Sequence, residues 1–493
     1  MHTIEKLFEG LPVVALSGRK NQRISGICTD SRRVSPGSMF FAFPGLRTDG
    51  HHYIEEAIDR GAAAIVSEEP AGRHPSVAYV QVESARRTAA QVVRRFFGAP
   101  DEALEIIGIT GTNGKTTVSM LLQHLLAQPG QPCGLIGTVR YDLGARTLPS
   151  FRTTPEALDI HGMLSQMRDA SCPRAVMEIS SHAIDQGRVD GLRVDIAAFL
   201  NLSQDHLDYH ETMDAYYAVK RRLFTGELGN TPRLAVINRD DPRGQQLLAE
   251  LPPDIEVISF GEHPEATIRS EDVETGPDGS TFRLLWDGQA ALVRTVMLGD
   301  YNVQNILAAL ALAKAAGRDI GELIERIGNF QGVPGRMERL YPRLPFNIVV
   351  DYAHTDDAMR KACRMLREVI DGRLIVVFGC GGNRDRAKRP LMTRAVLDYA
   401  DQAYITADNP RKEPLAQIFE DMKAGIDRPE QAQFIEDRRH AINLALDAAQ
   451  PGDCVLIAGK GHETYQEFAD TIIPFDDRAV VRELLRHKRL IDG

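Results

Sequence analysis

The chain has 493 residues, of which 43% are hydrophobic and 26% charged. At roughly 100–200 residues per domain this length predicts several domains, and the composition excludes disordered and fibrous architectures. Lys plus Arg number 58 against 68 Asp plus Glu, so the net charge of −10 opposes any broad attraction to nucleic acid or to an anionic membrane. The six cysteines, Cys28, Cys133, Cys172, Cys363, Cys380 and Cys454, show no CxxC or zinc-like spacing, which fits a reducing compartment. Met1 to Pro12 carries Glu5, Lys6 and Glu9 without an apolar h-region, and no apolar run nears the ~20 residues needed to span a bilayer. A cytoplasmic chain without membrane insertion is expected.

Residues 1–99 alternate apolar runs (Ser38–Phe43, Ala62–Val66, Val77–Val82) with helical patterns near Tyr53–Arg60 and Ala85–Phe97, which predicts a small α/β unit. The breaker cluster Gly98-Ala99-Pro100-Asp101 sets a boundary, and Leu104–Thr110 then reads as a buried strand. Beyond it, strands Ala175–Ile179, Ile196–Leu200 and Leu234–Ile237 alternate with helices Thr116–Ala127, Pro155–Arg168, Thr212–Phe224 and Val303–Ala316. That order predicts a mostly parallel sheet with helices on both faces. A second breaker cluster, Gln331-Gly332-Val333-Pro334-Gly335, precedes strands Asn347–Asp351, Arg373–Gly379, Gln402–Thr406 and Cys454–Ala458. Three α/β domains are therefore expected, at 1–99, 100–333 and 334–493. No internal repeat or low-complexity tail is present.

Thr110-Gly111-Thr112-Asn113-Gly114-Lys115-Thr116-Thr117 follows the buried strand and opens a helix whose apolar residues Val118, Leu121, Leu122 and Leu125 recur at helical spacing. Small residues let backbone N–H groups approach phosphate oxygens. The helix N-terminus and Lys115 add positive charge, and the Thr116 hydroxyl can ligate Mg²⁺. The strict phosphate-loop pattern has Gly where this chain has Ile109. Glu178, at the end of the Ala175–Ile179 strand, stands where open α/β sheets place ligands, and is a candidate metal ligand with Thr116.

Six segments in order extend this: the phosphate loop, Met177-Glu178-Ile179-Ser180-Ser181-His182, Asp205-His206-Leu207-Asp208-Tyr209-His210, Gly335-Arg336-Met337-Glu338, Asp351-Tyr352-Ala353-His354-Thr355 and Asp408-Asn409-Pro410-Arg411. Together they make the chain resemble the Mur ligases over essentially its whole length. The resemblance implies a three-domain α/β fold, with a central phosphate-loop domain that binds ATP on a parallel sheet, a first domain for the UDP-sugar and a Rossmann-like third domain for the amino acid. It implies an ATP-dependent amide ligase of peptidoglycan precursor synthesis. Such a ligase phosphorylates the D-glutamyl γ-carboxylate of UDP-N-acetylmuramoyl-L-alanyl-D-glutamate and lets an amine attack the acyl phosphate.

The resemblance also assigns residues. Gly111, Thr112, Asn113, Gly114, Lys115, Thr116 and Thr117 hold ATP phosphates, with Arg336 on phosphate, Asn302 on adenine and Asp351 on ribose. Lys115, His206, Lys220 and His354 are the catalytic set. Mg²⁺ is held by Thr116, Glu178, His206 and Lys220, the last as a CO₂ carbamate. From spacing alone Lys220, beside Arg221 and Arg222, reads as a solvated helix lysine. Thr29, Ser31, Leu46, Arg47 and Thr48 match uridine-recognising segments, and Arg152, Thr153, Thr154, Ser180, Gln186 and Arg188 match the sugar-peptide site. By residue type alone Thr154, before Pro155, could instead be a helix N-cap. Arg384, Asp408, Asn409, Pro410, Arg411, Gly459 and Glu463 match the amino-acid pocket, although Asn409-Pro410 alone is only a turn former. Arg411 is the form linked to meso-2,6-diaminopimelate, whose distal carboxylate a planar guanidinium pairs bidentately.

Three alternatives stay open at this stage: the same reaction with L-lysine, disfavoured by Arg411; a folylpolyglutamate-type γ-glutamyl ligase, disfavoured by the Thr29-Asp30-Ser31-Arg32 domain; and a nucleotide-binding scaffold that makes no bond. Small-molecule substrates, no nucleic acid and a monomer are expected.

Overall fold

The computed structural model describes residues 2–45, 48–70 and 77–491. They group into two compact units, Met1–Arg269 with Leu307–Ile320, and Ser270–Ile306 with Gly321–Gly493.

The first unit opens with a five-stranded sheet in the order Ala15–Ser17, Ala78–Gln81, Ala64–Ser67, Ser38–Ala42, Gly26–Cys28, parallel except at its first strand. Helix Ala85–Phe96, capped by the Ser84 hydroxyl, lays Ala85, Ala89, Val92 and Val93 on this sheet. A second sheet follows in the order Cys133–Ile136, Arg174–Glu178, Glu105–Thr110, Ile196–Phe199, Leu234–Asn238, Glu256–Gly261, all parallel. The hairpin Arg140–Asp142 and Thr147–Pro149 extends one edge in antiparallel register. The strands are buried on both faces, as their near-continuous Ile, Val and Ala runs require. The apolar runs thus locate strands to within two residues, and the sheet is mostly parallel as the alternation predicts.

The second unit holds a six-stranded sheet in the order Glu338–Leu340, Asn347–Asp351, Cys454–Ala458, Leu374–Phe378, Gln402–Thr406, Ala432–Ile435, antiparallel only at its first strand. Helices Asp356–Val369 and Lys388–Leu397 pack Met359, Cys363, Leu366, Met392 and Val396 on one face. Helices Arg438–Ala448 and Asp477–His487 cover the other with Ile442, Leu446, Val481 and Leu485. A further pair, Gly279–Trp286 and Gln289–Thr295, forms an antiparallel hairpin. Its two-residue loop, Asp287 at φ 46° and Gly288 at φ 76°, is an Asp-Gly turn with both residues left-handed.

Candidate active site

Strand Glu105–Thr110 delivers the phosphate loop and helix Lys115–Leu126 leaves it. Gly114 is the N-cap at φ 86°, a left-handed position suited to glycine. Ile109, where the strict pattern has Gly, is a fully buried residue of the strand itself, so the turn proper starts at Gly111. Lys115 Nζ donates to the carbonyls of Gly111 (2.8 Å) and Thr112 (2.9 Å). Asn113 is tied to the next strand end: its N–H donates to Asn201 Oδ1 (2.9 Å) and its amide to Ser203 Oγ (3.2 Å). Thr117 is buried behind them.

Glu178, 1% exposed at the end of its strand, gathers the loop. It accepts from Thr116 Oγ1 (3.0 Å), Thr138 Oγ1 (2.9 Å) and the Thr138 N–H (2.8 Å). Thr138 Oγ1 lies 3.0 Å from Thr153 Oγ1, so Glu178 links the phosphate loop to the Arg152–Thr154 segment. Thr154 is not a helix cap. The helix begins at Ala157, and the Thr154 hydroxyl donates to Glu178 O (2.8 Å) and accepts from Ser180 N–H (3.0 Å).

Lys220 overturns the solvated reading. Its side chain is buried beneath the loop, with Nζ donating to Gly111 O (3.0 Å) and Thr110 Oγ1 (3.4 Å) and lying 4.7 Å over the Tyr216 ring. Burial first, and then the like charge of Lys115, hold its pKa well below the ordinary lysine value. Helix Met213–Arg221 aims Tyr216, Tyr217 and Lys220 inward, a face that the run of charges at its end conceals. His206, left-handed at φ 53°, precedes the short helix Leu207–His210 and packs edge-on against His182 at 4.8 Å. Burial lowers the pKa of both, that of His182 to about 4.

Among the sugar-peptide candidates, Arg188 donates to Thr154 O (2.9 Å) and Gln186 Oε1 (2.5 Å). Glu156, which no motif singles out, collects Arg152 (2.6 Å), Arg86 (3.1 Å) and Arg188 (3.3 Å). Ser180 caps helix Ser181–Asp185 through Ala183 N–H (3.2 Å). Ser31 is buried and donates to Glu56 Oε2 (2.7 Å), Thr48 bonds Tyr53 OH (3.1 Å), and Thr29 is half-buried just before them. Leu46 and Arg47 lie outside the described residues.

In the second unit, Asp351 accepts from the N–H groups of Met337 (2.7 Å) and Ala353 (2.8 Å), and burial raises its pKa. This pins the Arg336 segment, whose guanidinium lies 4.5 Å over the Tyr352 ring. Arg336 Nε is buried with no hydrogen-bond partner among the described residues. His354 Nδ1 bonds Tyr352 O (2.7 Å). Asn302 Nδ2 donates to Leu298 O (2.8 Å), just ahead of its helix, and its Oδ1 accepts from Asn305 Nδ2 (3.0 Å). Gly335, at φ 67°, lets its backbone meet the Gly461-His462 backbone, where a Cβ would stand 2.1 Å from His462 N.

Asp408, Asn409 and Pro410 are buried. Asn409 Nδ2 donates to Glu463 Oε2 (3.1 Å). Arg411, left-handed at φ 54°, pairs Nε with Glu467 Oε2 (2.9 Å) and donates Nη1 to Gly382 O (3.1 Å). Its backbone bonds the hairpin of Tyr465–Phe468 and Thr471–Pro474 at Glu467 O (2.9 Å) and Ala469 N–H (2.6 Å). A Cβ on Gly459 would meet Asp408 Oδ2 at 2.6 Å, so only glycine fits beside that carboxylate. Arg384 is exposed on the loop after Gly382. The residues outside the sequence expectation, Thr138, Glu156, Arg86 and Glu467, carry no spacing signal and emerge only through their contacts.

A phosphate loop backed by a buried carboxylate and a buried amine defines an enzyme of nucleoside triphosphate chemistry on an α/β scaffold. The chain matches the Mur ligase family catalytic domain over residues 23–96, the Mur ligase middle domain over 109–313 and the Mur ligase glutamate ligase domain over 335–461. It belongs to the Mur ligase family. It is 44% identical over 94% of its length, and 94% of the relative's, to a UDP-N-acetylmuramoyl-L-alanyl-D-glutamate–2,6-diaminopimelate ligase of Solibacter usitatus. It is 42% identical over 99% of its length, and 100% of the relative's, to the enzyme of that name from Geobacillus thermodenitrificans. A solved structure of such a ligase superposes with a TM-score of 0.71 at 35% identity, covering 99% of both chains. A folylpolyglutamate synthase of Mycobacterium tuberculosis shares the fold over 76% of this chain and 92% of its own, at 18% identity and a TM-score of 0.60.

Proposed function

We propose that this chain joins meso-2,6-diaminopimelate to the D-glutamyl γ-carboxylate of UDP-N-acetylmuramoyl-L-alanyl-D-glutamate, with ATP converted to ADP and phosphate, in peptidoglycan precursor synthesis. The γ-carboxylate oxygen attacks the γ-phosphorus of ATP and ADP leaves. The acceptor amine then attacks the acyl carbon, phosphate leaves with the C–O electron pair, and the nitrogen loses its proton. Two anions must meet in the first step, so positive charge is the central requirement. Lys115 and the loop N–H groups would hold the triphosphate, Arg336 phosphate, Asp351 ribose and Asn302 adenine, with His354 in the same motif. Arg152, Thr153, Thr154, Ser180, Gln186 and Arg188 would hold the sugar-peptide, with Thr29, Ser31 and Thr48 near uridine.

The hard oxygens of Thr116 and Glu178 beside the phosphate loop fit Mg²⁺, and His206 and a Lys220 carbamate would complete its holders. Bound there, the metal neutralises phosphate charge. Burial drives the Lys220 pKa down and so favours the uncharged amine, the form that adds to CO₂, which supports the carbamate at Lys220. Three domains at 1–99, 100–333 and 334–493, a monomer and a cytoplasmic location complete the reading. Among the described residues no helix is long and apolar enough to cross a membrane.

The observation that carries the acceptor assignment is the cluster in which Asn409 bonds Glu463 while Arg411, two residues on, pairs with Glu467: a guanidinium and an amide suit a ligand carboxylate, and a carboxylate suits an ammonium. Phosphate release with ATP, Mg²⁺ and the UDP-muramoyl dipeptide, compared for meso-diaminopimelate and L-lysine with the product identified by mass, tests it. Turnover with diaminopimelate is expected. Turnover with lysine alone keeps the mechanism and discards the acceptor, and none with either discards the ligase reading.

A further inference from the structure

Lys460 stands outside every role assigned above, yet its side chain is fully buried, a costly place for an ammonium unless its partners are fixed around it. Those partners are the amino-acid pocket. Nζ lies 3.0 Å from Glu463 Oε2, 3.2 Å from Asn409 Oδ1 and 3.8 Å from Asp408 Oδ1. Asn409 Oδ1 accepts a second donor, the Glu467 N–H, at 3.0 Å. With the oxygen so engaged, the amide can present only its NH₂ end to the pocket, where one hydrogen goes to Glu463 Oε2.

We propose that Lys460 is the positioning residue of the acceptor amino-acid pocket. It turns Asn409 donor-first toward the ligand carboxylate and holds the Glu463 carboxylate in place for the ligand ammonium. It touches no substrate itself. This rests on the reading of Asn409 and Glu463 as acceptor contacts.

The test is steady-state kinetics of the full chain carrying K460M, E463Q and both. In K460M the KM for diaminopimelate is expected to rise about tenfold or more while kcat stays within about threefold, and KM for ATP and for the UDP-muramoyl dipeptide within about twofold. Because Lys460 acts through Glu463, the double variant's KM should fall at least about fivefold short of the product of the two single effects. An unchanged KM for the acceptor in a folded K460M, or effects that multiply, overturns the proposal. Should K460M not fold, K460Q carries the same comparison, and failure of both to fold assigns Lys460 to structure alone. If the unsubstituted enzyme accepts lysine instead, the acceptor reading fails and the same KM comparison, run with lysine, still decides the role of Lys460.

Discussion

At the scale of single residues, the chemistry lies where charge is buried. Arg411 is held on one side by Glu467 and Gly382, which limits its rotamers before any ligand arrives. In the proposed acceptor role, removing it would leave a desolvated ligand carboxylate unmatched, a loss of about 3 kcal/mol or more, so Arg411→Ala should lower kcat/KM for diaminopimelate about 100-fold. A loss under threefold would falsify its place in the pocket. Lys220 gives a prediction of opposite character. Lys220→Met fills the same space without an amine to bury, so the unfolding midpoint should hold or rise, while the proposed carbamate role requires turnover to fall about 100-fold. A folded variant with turnover near that of the parent would remove Lys220 from the metal set. Lys220 also marks the limit of reading residues from sequence. Its neighbours Arg221 and Arg222 signal a solvated face, and only the inward aim of Tyr216 and Tyr217 on the same helix shows otherwise. Lys115 and Thr116, by contrast, were legible at once, because a glycine turn between a buried strand and a helix has few other uses.

Among the elements, buried strands announce themselves as continuous apolar runs, and Asn347–Asp351, Gln402–Thr406 and Cys454–Ala458 match the sequence reading residue for residue. The hairpin Gly279–Trp286 and Gln289–Thr295 escaped that reading because neither strand forms the long continuous apolar run that marks a strand buried on both faces. Its signal was nevertheless present in Asp287-Gly288, the two-residue turn its register demands. Helix Ala157–Asp169 carries a testable element of another kind. His161 on its buried face has its pKa lowered to about 4 by burial, and its Nδ1 has no hydrogen-bond partner among the described residues. The unfolded chain takes up a proton near the ordinary 6.5 that the folded helix refuses. Stability is therefore full above that value and declines as pH falls toward 4, by on the order of 3 kcal/mol from this group. In His161→Leu the denaturant midpoint should decline less over the same pH interval; an equal decline in both proteins places the acid sensitivity elsewhere.

For the molecule as a whole, six cysteines form no disulfide, and five of them are buried. Burial pushes the thiols of Cys133, Cys380 and Cys454 up to about 12, far from the reactive thiolate. Under native conditions a thiol reagent should label Cys28 alone at appreciable speed, and all six only after denaturation; fast labelling of a second site would show local opening. Reductant should leave the unfolding midpoint unchanged.

The contact of Arg411 with the Tyr465–Pro474 hairpin reaches further than acceptor binding in one enzyme. Asn409 and Glu463 stand 54 positions apart in the chain, yet side-chain hydrogen bonds through Asn409, the Arg411–Glu467 ion pair and backbone bonds at Arg411 join their segments. A recombination that imported either segment from a lysine-adding relative would break that join and leave a pocket suited to neither amino acid. Acceptor preference should thus be inherited as a block, and a graft intended to change it must carry 408–411 and 459–469 together.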